Sequence, residues 1–192
     1  MTDISSDGAL GRRISDPGVA KAGAAGVKPA QTVPADLVAC VELFYFAYRD
    51  FTCDPDTILE QYGFGRAHHR VLHFVHRNPG LKVAELLDIL KITKQSLARV
   101  LKQLVDEGFI IQRAGDEDRR ERRLYVSAKG ARLTDKLTQI QVKRFETALL
   151  LAGPGADMLA RQFLFAMIAE EDRPHVEALI KGAARNGMGP AG

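Results

Sequence analysis

Tryptophan is absent from this chain, and cysteine occurs only twice, at Cys40 and Cys53. Two thiols without a Cys-x-x-Cys spacing build neither a disulfide framework nor a zinc site, so an apolar core has to hold the fold. No apolar run approaches the ~20 residues of a membrane-spanning helix. The opening stretch MTDISSDGALGRRISDPG has no apolar centre of the kind a secretory signal needs. A reduced, cytoplasmic protein with no membrane partner is the expectation. Charge of one sign is not in excess either: 27 Lys and Arg stand against 24 Asp and Glu, a net charge of +3. So slight a balance does not by itself point to nucleic acid, because the distribution of charge counts for more than its total. A Ser-His-Asp order, a phosphate-binding glycine loop and acids paired for catalysis are all missing. The expectation is a protein that is not an enzyme and carries no cofactor.

What is present is an ordinary globular composition, 46% hydrophobic over 192 residues, enough for one domain with tails. Residues 1–33 are rich in Gly, Ala, Ser and Pro without an apolar period and read as a disordered tail, as do residues 182–192. The folded domain is expected over 34–181. Pro34 to about Phe51 carries apolar residues at 37, 38, 41, 44, 45 and 48, a helical period that is apolar around much of its circumference. A second helix is expected from about Asp56 to His76, with a break at Gly63–Gly65, ending at Asn78-Pro79-Gly80. A short helix follows at Val83–Leu90, and Thr93 is a good N-cap for the next, Lys94–Glu107, closed by Gly108. Phe109–Arg113 and Arg123–Ser127 read as a hairpin. A long helix over Ala128–Leu151 ends at Gly153-Pro154-Gly155, and a last one starts near Ala156, with Pro174 bending or ending it before His175–Lys181. The fold class is mainly α with a small β-hairpin.

On a helical wheel, Leu97, Val100, Leu101, Leu104 and Val105 fall on one side of the Thr93–Gly108 segment. Gln95, Arg99 and Lys102 centre the opposite side, flanked by Ser96 and Gln103. One face suits a core, while the other offers amides, hydroxyls and cations, with no carboxylate before Asp106. Two helices joined by the short turn Lys91-Ile92-Thr93 suit insertion of the second into the major groove of double-stranded DNA. There Arg reads guanine, Gln reads adenine, and Lys neutralises phosphate. Taken alone, the helix pair fits an ordinary surface helix of an α-bundle equally well. The loop GDEDRRERR, between the two strands that follow, shifts that balance, because arginines at a hairpin tip suit the narrow, electronegative minor groove. Asp118 stands two residues before Arg120 and can brace it. A winged helix-turn-helix results, with Thr93, Lys94, Gln95, Ser96, Arg99, Lys102, Asp118, Arg120 and Arg122 as the expected DNA-binding residues.

The stretch LKVAELLDILKITKQSLARVLKQLVDEGFIIQRAGDEDRRERRLYVSAKG, from Leu81 to Gly130, resembles the MarR family of bacterial transcription regulators. The Asp-x-Arg wing at Asp118 and Arg120 matches, as does Val-Ser-Ala-Lys-Gly where the family usually has Leu-Thr-x-x-Gly. Residues 65–72 are most similar to a proteobacterial, PetP-like subgroup. The resemblance covers about residues 34–181 and implies N- and C-terminal dimerisation helices. It also implies a homodimer with two winged heads on a pseudo-palindromic operator, and a repressor released by a small-molecule effector. Lys91 departs from the family's frequent Gly at the bend, and Lys82 from its usual N-cap hydroxyl.

Some members of the family are organic-hydroperoxide sensors with a reactive cysteine on the first helix and tyrosines beside it. Cys40, with Tyr45 and Tyr48, is the position to weigh for an oxidant sensor that releases DNA as its output. Here Val41 and Glu42 follow the cysteine where an aromatic is usual, and no local positive charge lowers the thiol pKa, so a buried structural cysteine is the plainer reading. Cys53 reads as a loop thiol. His69, His73 and His76 share one flank of their helix while His68 lies on the apolar face. No acid or cysteine follows at ligand spacing, so packing, capping by His68 or lining an effector cavity is expected in place of a metal site.

Overall fold

A computed structural model of the chain describes residues 34–115 and 121–186, with side chains as far as Ala183. In chain order the elements are α1 (Ala35–Glu60), α2 (Arg66–Arg77), β1 (Leu81–Lys82), α3 (Val83–Leu90), α4 (Lys94–Asp106), β2 (Ile110–Ala114), β3 (Arg122–Val126), α5 (Ala128–Ala152), α6 (Ala156–Ala166), a 3-10 turn (Glu170–Asp172) and α7 (Arg173–Asn186). The three strands form one antiparallel sheet in the order β1-β3-β2, with Leu81 opposite Leu124 and Ile111 opposite Tyr125.

One apolar core unites the middle of the chain. Leu72 and Val75 of α2, Leu86 of α3, Leu97 and Leu104 of α4, Phe109, Leu124 of β3 and Leu137 of α5 are all buried. Removing a leucine side chain from water contributes roughly 2 kcal/mol, so this cluster outweighs any single polar contact in the head. Phe64, Tyr62 and Phe109 add edge-on and stacked aromatic contacts where α1 hands over to α2.

The hairpin and α5 are joined by backbone in close contact. Gly108, with φ at +75°, ends α4, and the Phe109 carbonyl accepts the Ser127 N–H at 2.9 Å. The Ser127 hydroxyl caps α5 by accepting the Gly130 N–H at 3.0 Å, and it donates to the Gly108 carbonyl at 2.7 Å. A Cβ added at Gly130 would lie 2.2 Å from the Phe109 carbonyl oxygen. The Ser-x-x-Gly spacing is therefore a cap followed by a contact that only glycine allows.

Four expectations are corrected. The first helix does not stop near Phe51. It runs through Pro55 to Glu60, and the break before α2 falls at residues 61–65. Thr52, whose hydroxyl donates to the Tyr48 and Arg49 carbonyls, and the fully buried Leu59 hold the turns on either side of the proline. Cys53 consequently lies inside a helix and not in a loop. The strand β1 was missed because two residues are too short to show an alternating pattern, and its place is fixed by pairing with β3. The last helix breaks at residues 167–172, not at Pro174, which sits in the first turn of α7 where its missing N–H has no helical partner to lose.

Gly130→Ala is expected to cost about 3 kcal/mol or more of folding stability, because the Phe109 backbone has to move to admit a methyl group. Urea denaturation of the two proteins checks this, and an unchanged midpoint would show that the joint yields freely.

Candidate nucleic-acid interface

The turn between α3 and α4 is built by three devices. Lys91 takes a left-handed conformation, φ 51° and ψ 42°, as its N–H donates to the Leu87 carbonyl at 2.9 Å. This is the position where glycine would be free of strain, and a Cβ there costs on the order of 1 kcal/mol. The Arg70 guanidinium of α2 donates to the Leu90 carbonyl at 3.2 Å, satisfying an end of α3 that its own helix cannot. The Thr93 hydroxyl then accepts the Ser96 N–H at 3.1 Å and donates to the Ser96 hydroxyl at 2.9 Å, starting α4. The Lys91 ammonium reaches Asp172 of the 3-10 turn at 3.1 Å.

Because Leu97, Val100, Leu101 and Leu104 are buried, the opposite face of α4 is presented to solvent. Lys94, Gln95, Arg99 and Lys102 are exposed there, together with Thr93, while Ser96 is half-buried beside its cap partner. Lys102 pairs with Asp106 one turn on. Gln103, which the wheel places at the edge of this face, is turned away from it. Its carbonyl oxygen meets the His68 Nε2 at 2.9 Å, and its amide donates to the Glu107 carboxylate at 3.0 Å.

His68 serves two elements. Its Nδ1 accepts the Gly65 N–H at 3.1 Å, so the neutral ring carries its proton on Nε2 and donates to Gln103. The ring lies flat against Phe64, 4.8 Å between centroids. Capping by His68 is thus what the structure shows, and the cap also ties α2 to α4.

The wing is the β2–β3 ribbon. The Gly115 N–H donates to the Glu121 carbonyl at 3.1 Å at its outer end. The Arg113 guanidinium lies over the Tyr125 ring, 5.0 Å from its centroid. Arg122 is exposed at the start of β3. Asp118 and Arg120 lie outside the described residues. At that same outer end, Lys82 donates to Glu121 at 2.6 Å and Arg123 approaches the same carboxylate at 3.8 Å. Neither Lys82 nor Glu121 could be nominated from sequence, since 39 residues separate them and only the sheet brings them together.

A sequence model described as MarR family matches residues 62–121. The chain is 48% identical over 139 residues to the HTH-type transcriptional regulator PetP of Rhodobacter capsulatus, an overlap covering 72% of this chain and 84% of that protein. This chain belongs to the MarR family. The family makes it a helix-turn-helix transcription regulator. Its fold is similar to that of the transcriptional regulator SlyA, with a TM-score of 0.58 at 19% identity, covering 73% of this chain and 99% of that one. It is also similar to S. aureus MepR in a complex with DNA, with a TM-score of 0.54 at 19% identity, covering 66% of this chain and 93% of that one.

As in the expectation drawn from their spacing, the remaining histidines of α2 lie near one another. His69 and His73 line a cavity of about 420 Å³ with Tyr48, Phe51, Asp56 and Arg66, and His76 pairs with Asp135 of α5 at 3.0 Å. Among the described residues no group of three or more His, Cys, Asp or Glu comes together as a metal site requires. Cys40 is exposed on α1, which corrects the expectation of a buried thiol, and Cys53 is exposed as well. No helix among the described residues is long and apolar enough to cross a membrane.

Burial disfavours the imidazolium of His73 and, with His69 and Arg77 nearby, lowers its pKa from 6.5 to about 4. His68 and His69 are lowered by burial in the same sense. On acidification the unfolded chain takes up these protons first. Stability is therefore complete above about pH 6.5 and falls as pH drops toward 4, His73 alone accounting for about 3 kcal/mol by pH 4. Urea midpoints of the protein and of His73→Leu between pH 7 and 4 check this, the variant losing part of the pH dependence. Parallel curves for the two proteins would contradict it.

Proposed function

We propose that this MarR-family chain is a dimeric, sequence-specific repressor that binds a pseudo-palindromic operator and leaves it when a small molecule binds. The observation that carries the reading is the solvent face of α4. Gln95, Arg99 and Lys102 project from a helix whose other side is locked into the core, and the helix begins at a short capped turn. Such a face presents donors and acceptors in fixed positions, as reading of base edges requires. The fold it shares with MepR, which was solved with DNA, supports the same docking. Thr93, Lys94 and Ser96 then meet the backbone near the start of α4, and Arg122 extends the contact along the wing. Asp118 and Arg120 enter the proposal on sequence alone, as a braced arginine for the minor groove.

Dimerisation is supported by surface that one chain leaves uncovered. Leu43, Phe44, Tyr45 and Phe46 of α1 and Leu159 and Phe163 of α6 are all more than two-fifths exposed. Contiguous apolar surface on that scale marks an association face. An effector is supported by the cavity of about 410 Å³ that Phe44, Tyr48, Phe51, Phe145, Phe163 and Leu164 line between α1, α5 and α6. Its walls suit an apolar or aromatic molecule. The oxidant-sensor reading has no comparable support, since exposure of Cys40 by itself does not make a thiol reactive.

Selection of bound sequences from random duplexes, followed by transcription from a promoter carrying the selected site, tests the proposal as a whole. Added protein should lower transcript yield. Arg99→Ala or Gln95→Ala should cost about 1–3 kcal/mol of operator affinity and relax preference at one position of each half-site. Lys102→Ala should weaken all sequences alike and lower the salt slope by about one unit. Arg99→Ala with unchanged affinity and preference would show that α4 is not docked in the groove. Removal of residues 157–192 should give monomers or aggregates by light scattering, and a DNA-competent dimer after that deletion would refute the terminal-helix interface.

A further inference from the structure

A negative charge sits where DNA binding disfavours one. Glu121 immediately precedes β3, at the outer end of a ribbon that the proposed function places against phosphates. Its backbone carbonyl accepts the Gly115 N–H at 3.1 Å, so residues 115 and 121 face each other at the end of the described ribbon. Its carboxylate is half-buried and engaged on both oxygens. Oε1 accepts from the Lys82 ammonium at 2.6 Å, and Oε2 lies 3.8 Å from the Arg123 guanidinium.

We propose that Glu121 is a positioning residue for DNA binding, a strut that fixes the direction of the wing relative to α3 and α4 through Lys82 and Arg123. The inference rests on the DNA-binding reading given above. Lys82 is a firm anchor. Its backbone lies in β1 opposite Arg123, and its N–H donates to the Glu85 carboxylate at 2.8 Å in the first turn of α3. The strut therefore connects the wing to the helix that leads into the reading helix. Its hydrogen bond to Glu121 holds the Lys82 ammonium above its ordinary pKa. The Arg123 Nε–H is buried and has no acceptor among the described residues, while the Arg123 Nη2 lies 3.8 Å from the Glu121 carboxylate.

Two physical effects of Glu121 oppose each other in sign. A carboxylate beside phosphate repels it, and its removal releases two cations to neutralise DNA. Even a partly exposed ion pair contributes little to folding, ~0–1 kcal/mol, so a residue kept for stability alone is a weak alternative. If the pair instead orders the wing before DNA arrives, breaking it moves that ordering cost into binding. Long-range electrostatics predicts tighter binding without Glu121, and the strut predicts weaker binding.

The test compares the full-length protein with Glu121→Gln, Lys82→Met, the double variant and the reversed pair Lys82→Glu with Glu121→Lys. Affinity for one selected operator is measured at fixed salt by fluorescence anisotropy, and thermal melting verifies that each variant is folded. Glu121→Gln should bind about 5-fold more weakly, an effect of roughly 1 kcal/mol, despite the lost negative charge. The double variant should be no weaker than the weaker single, because a strut already cut at one end cannot be cut again. The reversed pair should regain at least half of the loss. Hydroxyl-radical footprints should lose protection at the wing's minor-groove positions while protection by α4 persists. Equal or tighter binding by Glu121→Gln, or additive losses in the double variant, would overturn the strut. Arg99→Ala, run alongside, separates the two levels. If it too leaves affinity unchanged, the docking of α4 has failed, whereas a loss there with none at Glu121 removes the strut alone.

Discussion

The apolar stripe of α4 is the constraint on which the rest of the head depends. Leu97, Val100, Leu101 and Leu104 can be buried in only one rotational setting of the helix, and that setting turns Gln95, Arg99 and Lys102 outward. The reading face is thus a by-product of core packing. Each buried leucine contributes roughly 2 kcal/mol, and rotating the helix by one residue would expose several at once. The energy that orients the polar side chains is spent on their far side, where no ligand is involved.

Around that helix the polar contacts act mainly as alignment. His68 connects the start of α2 to Gln103 of α4, and Arg70 closes the end of α3. Ser127 and Gly130 lock the hairpin to α5. Each contact is modest in energy, but each removes one way in which a helix, a turn or the wing could shift against the others. A protein that reads base edges gains from this directly, since a displacement of about 1 Å breaks a bidentate hydrogen bond.

The two ends of the chain follow a different logic. In the head nearly every large apolar side chain finds cover, whereas α1 and α6 leave theirs in solvent, with Leu150 and Leu151 at the end of α5 each 82% exposed. A single chain satisfies its head and not its terminal helices. That contrast is why the proposed dimer is built from those helices, and why apolar cavities gather where α1, α5 and α6 meet.

Local signals made most of the helices readable. Thr93 announced its cap, Gly108 and Gly153 the ends of their helices, and the period of α4 its buried and exposed sides, because each of these depends on neighbours within four residues. The extension of α1 through Pro55 was not readable, since the proline's cost is met by distant packing at Leu59. Nor was β1, which exists only because β3 lies beside it. The strained Lys91 was marked in the sequence as a departure, but its left-handed backbone became visible only in the folded turn. Short-range periodicity and capping, together with the arginine-rich loop between the two strands, therefore determined, from the sequence by itself, that this is a winged helix-turn-helix with an outward cationic face. Tertiary structure alone decided that Gln103 leaves that face for His68 and that Lys82 meets Glu121, because pairs 35 and 39 residues apart are chosen by how helices and strands pack, and no local pattern encodes that choice.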